Sequence, residues 1–264
     1  MKIRYTAEAG IALIELDDPP ANAYSYEMMR EIDGAILDAR MDAAVHVIVL
    51  TGAGEKFFCA GANIAMLDEA DPVFKYYFCL HANETLNRLE QTPKLVIAGL
   101  NGHTVGGGLE VALAADLRIA RRGAGKIGLP EVALGVLPGT GGTQRLARLL
   151  GKARALELMA TGALFTFEEA QAWGLVNQVW DEAALGGRTF RQALIDYARQ
   201  FTPPARASRA IGHIKRAVHS GLEMALAEGL ALERELQQRL FESEDAREGL
   251  AAHRARRPPV FTGR

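Results

Sequence analysis

Two glutamates standing 21 residues apart, Glu110 and Glu131, are the residues of this 264-residue chain best suited to acid-base work. Glu110 closes the run Asn101-Gly102-His103-Thr104-Val105-Gly106-Gly107-Gly108-Leu109-Glu110. Three consecutive glycines entering a helix let backbone approach a ligand closely, and the helix start offers N–H groups that no helical carbonyl satisfies. Such amides suit an anion or a developing oxyanion, and a carboxylate in the same first turn would stand beside them. The run equally suits tight helix packing with a glutamate that complements the helix dipole, so by itself it leaves both readings open. Glu131 follows Gly128-Leu129-Pro130 and precedes the glycine-rich stretch Gly135 to Gln144. Between the two acids a helix of about eight residues covers ~12 Å and a return strand of about four covers ~13 Å. The chain can therefore come back to the same end of a sheet, and both carboxylates can face one reacting centre. A third cluster, Lys56-Phe57-Phe58-Cys59-Ala60-Gly61-Ala62-Asn63-Ile64, reads as a strand end turning through small residues.

The elements that must position these clusters can be read from periodicity. Ile3 to Glu8 and Gly10 to Leu16 alternate around Ala9-Gly10 and predict an opening hairpin. Ser25 caps an amphipathic helix reaching about Asp42, and His46 to Leu50 is a short buried strand. A helix over Asp71 to Gln91, a strand over Lys94 to Leu100, a helix from the triple glycine to Ala115 and a strand over Leu117 to Ala120 come next. From Pro138 the pattern is helical, with a capping box at Thr166 and Glu169 and Pro203 read at a first helical turn; the sheet ends near Val176 to Val179. Leu222, Leu226, Leu230 and Leu232, Leu236, Leu240 recur at four-residue steps, an apolar stripe that must bury against something. The change of class near residue 195 divides the chain into 1–195 and 196–264.

With 49% hydrophobic and 23% charged residues and a net charge of −2, the chain has no overall field for polyanions, so nucleic acid is not an expected partner. Basic residues cluster only in His253-Arg254-Ala255-Arg256-Arg257. Cys59 and Cys79 have no ligand spacing and suit buried reduced thiols. Neither an apolar signal core nor a run of ~20 apolar residues occurs, so no membrane association and a cytoplasmic location are expected. Gly123, Gly125 and Gly128 fit a dinucleotide-binding spacing, but Leu129-Pro130 stands where a long helix should begin. A serine elbow and paired metal-spaced histidines are both missing, and no metal is expected.

Taken in order, these motifs resemble the crotonase (enoyl-CoA hydratase/isomerase) superfamily over nearly the whole chain. The resemblance rests on Pro19-Pro20-Ala21-Asn22-Ala23, Ala60-Gly61-Ala62, Asn101-Gly102 with the triple glycine, Leu129-Pro130-Glu131, Gly139 to Leu146 and Gly174-Leu175-Val176. The tail Glu244 to Gly249 with Arg256-Arg257-Pro258-Pro259-Val260-Phe261 is similar too. It implies an α/β spiral of ββα units followed by a helical C-terminal oligomerisation region that closes the pocket, assembled as a homotrimer or as a hexamer of paired trimers. It implies a hydratase in acyl-CoA catabolism, with Glu110 and Glu131 catalytic and the backbone N–H groups of Ala62 and Gly107 as an oxyanion hole. The substrate would be an acyl-CoA thioester and no separate cofactor is needed, coenzyme A being part of that substrate. Lys56, Ala60, Ala62, Ile64, Met66 and Gly107 would line its path, with Arg256 reaching the nucleotide from a neighbouring subunit. Met66 and the helix carrying Tyr76, Tyr77 and Phe78 would meet the acyl chain, although such aromatics are commonly core.

Three positions depart from the family pattern. Asn63 stands where aspartate is common, His253 where an aromatic is common, and the two glutamates are one residue further apart than usual, with the extra residue placed in Arg121 to Gly125. Rival expectations on the same scaffold are double-bond isomerisation or another acyl-CoA lyase reaction such as decarboxylation. A non-catalytic acyl-CoA or RNA binding protein is the rival from another class.

Overall fold

The computed structural model describes residues 1–264, and its order of elements explains how distant clusters meet. The hairpin is present: β1 (Ile3–Glu8) and β2 (Ile11–Leu16) pair antiparallel around Ala9 and Gly10, both at positive φ. Helix α1 (Tyr26–Met41) starts at Ser25, whose hydroxyl accepts from the Met28 amide at 3.4 Å. Then come β3 (Val47–Gly52), β4 (Phe57–Cys59), α2 (Ile64–Glu69) and α3 (Pro72–Gln91). The pattern repeats as β5 (Leu95–Leu100), β6 (His103–Val105) and α4 (Gly107–Leu113), and again as β7 (Leu117–Arg121), β8 (Ile127–Gly128) and one 3-10 turn, Glu131–Leu134.

Each repeat is a long strand, a short strand and a helix. The long strands lie parallel in a six-stranded sheet ordered β1-β2-β3-β5-β7-β9, closed by β9 (Gln178–Trp180); the short ones form a second sheet ordered β4-β6-β8. This is the ββα spiral. The second sheet escapes hydrophobic patterning because its strands have two or three residues, too few for a period of two to register. Long strands are apolar throughout because both faces are buried. Ile14, Ile48, Leu50, Val96 and Ala98 enter the large core, while Leu13, Val47, Val49, Ile97 and Ile119 enter a smaller one.

The remaining chain is mostly helical: α5 (Gly142–Leu150), α6 (Lys152–Thr161), α7 (Phe167–Ala172), α8 (Glu182–Leu185), α9 (Phe190–Arg199), α10 (Ser208–Gly221), α11 (Leu226–Phe241) and α12 (Glu244–Ala255). Thr166 and Glu169 form the expected capping box, and Thr189 with Gln192 forms a second. Residue 195 falls inside α9, whose Phe190, Ala193 and Leu194 fill the smaller core against the sheet. Pro203 does not start a helix; α10 begins at Ser208. Pro203 is followed by Pro204, and the residue before a proline is pushed out of the helical region. Lys215 of α10 is buried and reaches Asp116 at 2.9 Å, whose carboxylate also takes His219 at 3.0 Å and the Val96 amide at 2.7 Å. Of the leucine stripes, Leu236 is buried, whereas Leu222 and Leu226 are 80% and 78% exposed on the single chain. No helix is long and apolar enough to cross a membrane.

Candidate active site

The three short strands end side by side, and each leads into a cluster singled out by sequence. β4 runs into Ala60-Gly61-Ala62, β6 into Gly106-Gly107, and β8 into Leu129-Pro130-Glu131. Parallel pairing sets Val105 beside Gly128, and the Gly106 amide donates to the Gly128 carbonyl at 2.9 Å. Two asparagines fasten the approach to β4. Asn22 donates to the Ala53 and Phe57 carbonyls at 3.1 and 3.0 Å, while Asn101 donates to the Gly54 carbonyl at 2.9 Å and accepts from the Gly52 amide at 2.9 Å. Buried amide side chains used this fully leave the loop little freedom.

Two amides emerge from this junction unused. The Tyr24 amide donates to the Gly61 carbonyl and the Asn63 amide to the Tyr24 carbonyl, each at 2.9 Å, and the Ala62 N–H between them has no acceptor in the protein. Gly107 is the first residue of α4 and its N–H has none either. They are neighbours: a Cβ added to Gly61 would lie 3.0 Å from the Gly107 nitrogen. With only seven residues, Gly107–Leu113, and an end at Leu113 rather than Ala115, α4 contributes its free N–H more than a long dipole. Glycine is required here for two different reasons. Gly106 has φ +58° and ψ −134°, a conformation closed to side-chain-bearing residues. At Gly107 the obstacle is space, because a Cβ would collide with the Tyr24 hydroxyl.

The glutamates meet this junction from opposite sides in different surroundings. Glu110, 2% exposed, is saturated with donors: Oε1 accepts from the Thr140 amide at 2.8 Å and the Gly142 amide at 2.7 Å, and Oε2 is bonded to the Thr140 hydroxyl. Burial pushes its carboxyl above the ordinary range and these bonds pull against that. Glu131 opens the 3-10 turn, half-buried, with Oε1 3.1 Å from where a Gly106 Cβ would be and Oε2 buried without any partner in the protein. Burial pushes its carboxyl up to about 7; its own backbone amide opposes this and the charge of Glu110 adds to it.

Of the other residues marked by sequence, Lys56 and Ile64 are exposed along the β4–α2 segment, with the Lys56 ammonium 5.6 Å from the Phe57 ring centroid. Ala60 and Met66 are half-buried, and the Met66 sulfur accepts from the Tyr26 amide at 3.4 Å. Asn63 caps α2, accepting from the Met66 amide at 3.0 Å, so that departure has a structural use. Phe78 is core, packed 5.9 Å from Tyr24 between ring centroids, while Tyr76 and Tyr77 are exposed. Arg256 is exposed and caps the end of α12. Tyr24 and Thr140 were not anticipated: Thr140 lies in a glycine run that reads as a turn, and only folding brings it to Glu110.

A parallel ββα spiral carrying two unbonded amides and two unlike carboxyls defines a class of protein that acts on carbonyl compounds. The enoyl-CoA hydratase/isomerase family profile matches residues 6–264, and the chain belongs to that family, the crotonase superfamily. A crystal structure of an enoyl-CoA hydratase from Geobacillus kaustophilus superimposes with a TM-score of 0.95 at 47% identity, covering 100% of this chain and 97% of that one. The short-chain-enoyl-CoA hydratase of Clostridium acetobutylicum is 35% identical over 93% of this chain and 91% of its own length. The enoyl-CoA isomerase/hydratase of Mycosarcoma maydis is 35% identical over 97% and 93%.

Proposed function

We propose that this protein catalyses the reversible addition of water across the C2=C3 bond of a 2-enoyl-CoA thioester. The hard step is the build-up of negative charge on the thioester oxygen as water attacks C3. In this reading the Ala62 and Gly107 N–H groups receive that charge, and loss of one such donor typically costs ~10² to 10³ in rate. Glu110 takes a proton from the attacking water as its oxygen bonds to C3. Glu131 delivers its proton to C2 as the enolate collapses, and a proton passes back from Glu110 to Glu131 before the next turnover. Lys56, Ala60, Ile64 and Met66 flank the path of the coenzyme A and acyl portions.

One observation carries the reading: a donor-saturated carboxyl and a partnerless one share a junction with two unbonded amides. Isomerisation needs one proton-shuttling group, and Glu110 would then be redundant. The same reading assigns the exposed Leu222 and Leu226 to contacts within a homotrimer or hexamer, and the chain to the cytoplasm. The test is a chromatographic assay of purified protein with a short 2-enoyl-CoA and its 3-enoyl isomer. Formation of 3-hydroxyacyl-CoA from the 2-enoyl substrate is expected; turnover of the 3-enoyl compound to 2-enoyl product without any hydroxyacyl product would replace hydration by isomerisation.

A further inference from the structure

Glu110 stands at the end of a hydrogen-bond chain that runs in one direction. The Tyr24 hydroxyl is buried and has a single partner, Thr140 Oγ1, at 3.4 Å. Thr140, itself buried, bonds through that oxygen to Glu110 Oε2. Glu110 Oε1 faces two amide N–H groups and has no room for a proton, so a protonated Glu110 would carry it on Oε2. That proton would point at Thr140 Oγ1 and turn the Thr140 hydrogen toward Tyr24, leaving the tyrosine proton without an acceptor in a dry site. With Glu110 ionised every proton has a place: tyrosine donates to threonine and threonine to the carboxylate.

We propose that Tyr24 and Thr140 are positioning residues that hold Glu110 ionised and fixed in orientation, so that the proton shared by the two acids resides on Glu131. The proposal rests on reading Glu110 as the base, and it adds which residues assign the roles. Tyr24 is well placed to couple the base to the oxyanion-binding amide, since its hydroxyl lies where a Gly107 Cβ would be. The other groups that face Glu110 are Glu131 from the 3-10 turn, Cys79 from α3 and Arg145 from α5. Arg145 is committed to Glu90 at 2.8 Å and to the Thr140 carbonyl at 3.4 Å. Cys79 is a thiol raised by burial, with no charge to offer at neutral pH.

The experiment is to follow the side-chain carboxyl carbon of Glu110 against pH by 13C NMR in the free enzyme, assigned by its loss in E110Q. Thr140→Val keeps the backbone donor and removes the hydroxyl; its Glu110 midpoint should rise by about one to two pH units, the equivalent of one hydrogen bond to a charged group. Thr140→Ser should titrate as wild type, and Tyr24→Phe should move in the same direction by less. The acidic limb of kcat/KM should follow the midpoint, with kcat falling about tenfold or more in T140V and KM barely changing. An unshifted midpoint in T140V, or an equal shift in T140S, would overturn the proposal. Should T140V fail to fold, Y24F, which lacks a single oxygen, decides: an unshifted midpoint there overturns it as well. Wild-type protein inactive on every enoyl-CoA would remove the reading of the reaction and leave the titration result standing.

Discussion

The two carboxyls lie at the same junction yet inhabit opposite worlds. The Glu110 side is a rigid polar cradle in which the loop carrying Thr140 and Gly142 wraps the acid with donors, anchored through Arg145 to Glu90 and Asn87, each at 2.8 Å. The Glu131 side is a short turn leading into exposed Val132, Leu134, Val136 and Leu137, and its acid keeps one buried oxygen unpaired. A donor-rich site stabilises a negative charge, whereas an apolar one with an orphaned oxygen favours the neutral acid. Placing two such sites beside each other lets one pair of identical side chains serve as base and acid at one pH.

The largest effects should come from replacing each acid with its amide. Glu110→Gln and Glu131→Gln should each lower kcat by roughly 10² to 10⁴, the range typical of a lost acid-base group. Their effects on stability should differ. In E110Q the new NH2 points a donor at Thr140, which must turn its own hydrogen back toward Tyr24, so the melting temperature should fall. E131Q removes a carboxyl from a site that disfavours its charge and should be neutral or stabilising above pH 7. Equal losses of melting temperature in the two variants would dissolve the contrast.

Gly107→Ala comes next, because an added methyl meets the Tyr24 hydroxyl and must displace either the amide or the ring. A fall of ~10² to 10³ in kcat is expected, as for loss of one oxyanion donor. A G107A protein with wild-type kcat would show that this amide is a bystander.

The pH dependence separates the acids further. With the Glu131 carboxyl at about 7, the fraction holding its proton declines as pH rises through that value, and a rate that needs the proton falls on the alkaline side. For stability the sign is the same. A carboxyl raised above its unfolded value contributes stability that is fully present below the unfolded pKa and is lost as pH climbs through the folded one. Between pH 5 and 8 the melting temperature of the wild type should therefore drop relative to that of E131Q. A difference that stays constant across this window would show that Glu131 titrates as an ordinary surface acid.

How far these features were legible in the sequence depends on the distance over which each is specified. Glu110, Glu131, Ala62 and Gly107 stand in motifs whose glycines are dictated by local backbone shape, so residue type and order alone pointed to one junction. The long strands and capped helices were legible for the same reason. The second sheet was not, since β8 has two residues and is defined by its neighbours rather than by its own pattern. Thr140 lies 30 residues from Glu110 in sequence, and nothing in Gly139-Thr140-Gly141 says that its hydroxyl will face a carboxylate. Asn22 and Asn101 stood in recognisable motifs, but their role as fasteners of the loop before β4 emerges only once that loop has folded against them.

The smallest effect concerns what keeps the Glu131 side dry. Its exposed apolar turn is the element through which solvent access to the acid can be altered without touching either carboxyl. Leu134→Ser places a hydroxyl on that turn, where the side chain is largely in solvent and the core is not disturbed. If the apolar turn contributes to the desolvation of Glu131, the alkaline limb of the rate should move down by about a few tenths of a pH unit, since better solvation favours the charged form. The Glu110 midpoint, set by donors on another loop, should not change. A shift of both midpoints together would mean that the cradle and the turn are mechanically one unit, and the separate tuning of the two acids would have to be abandoned.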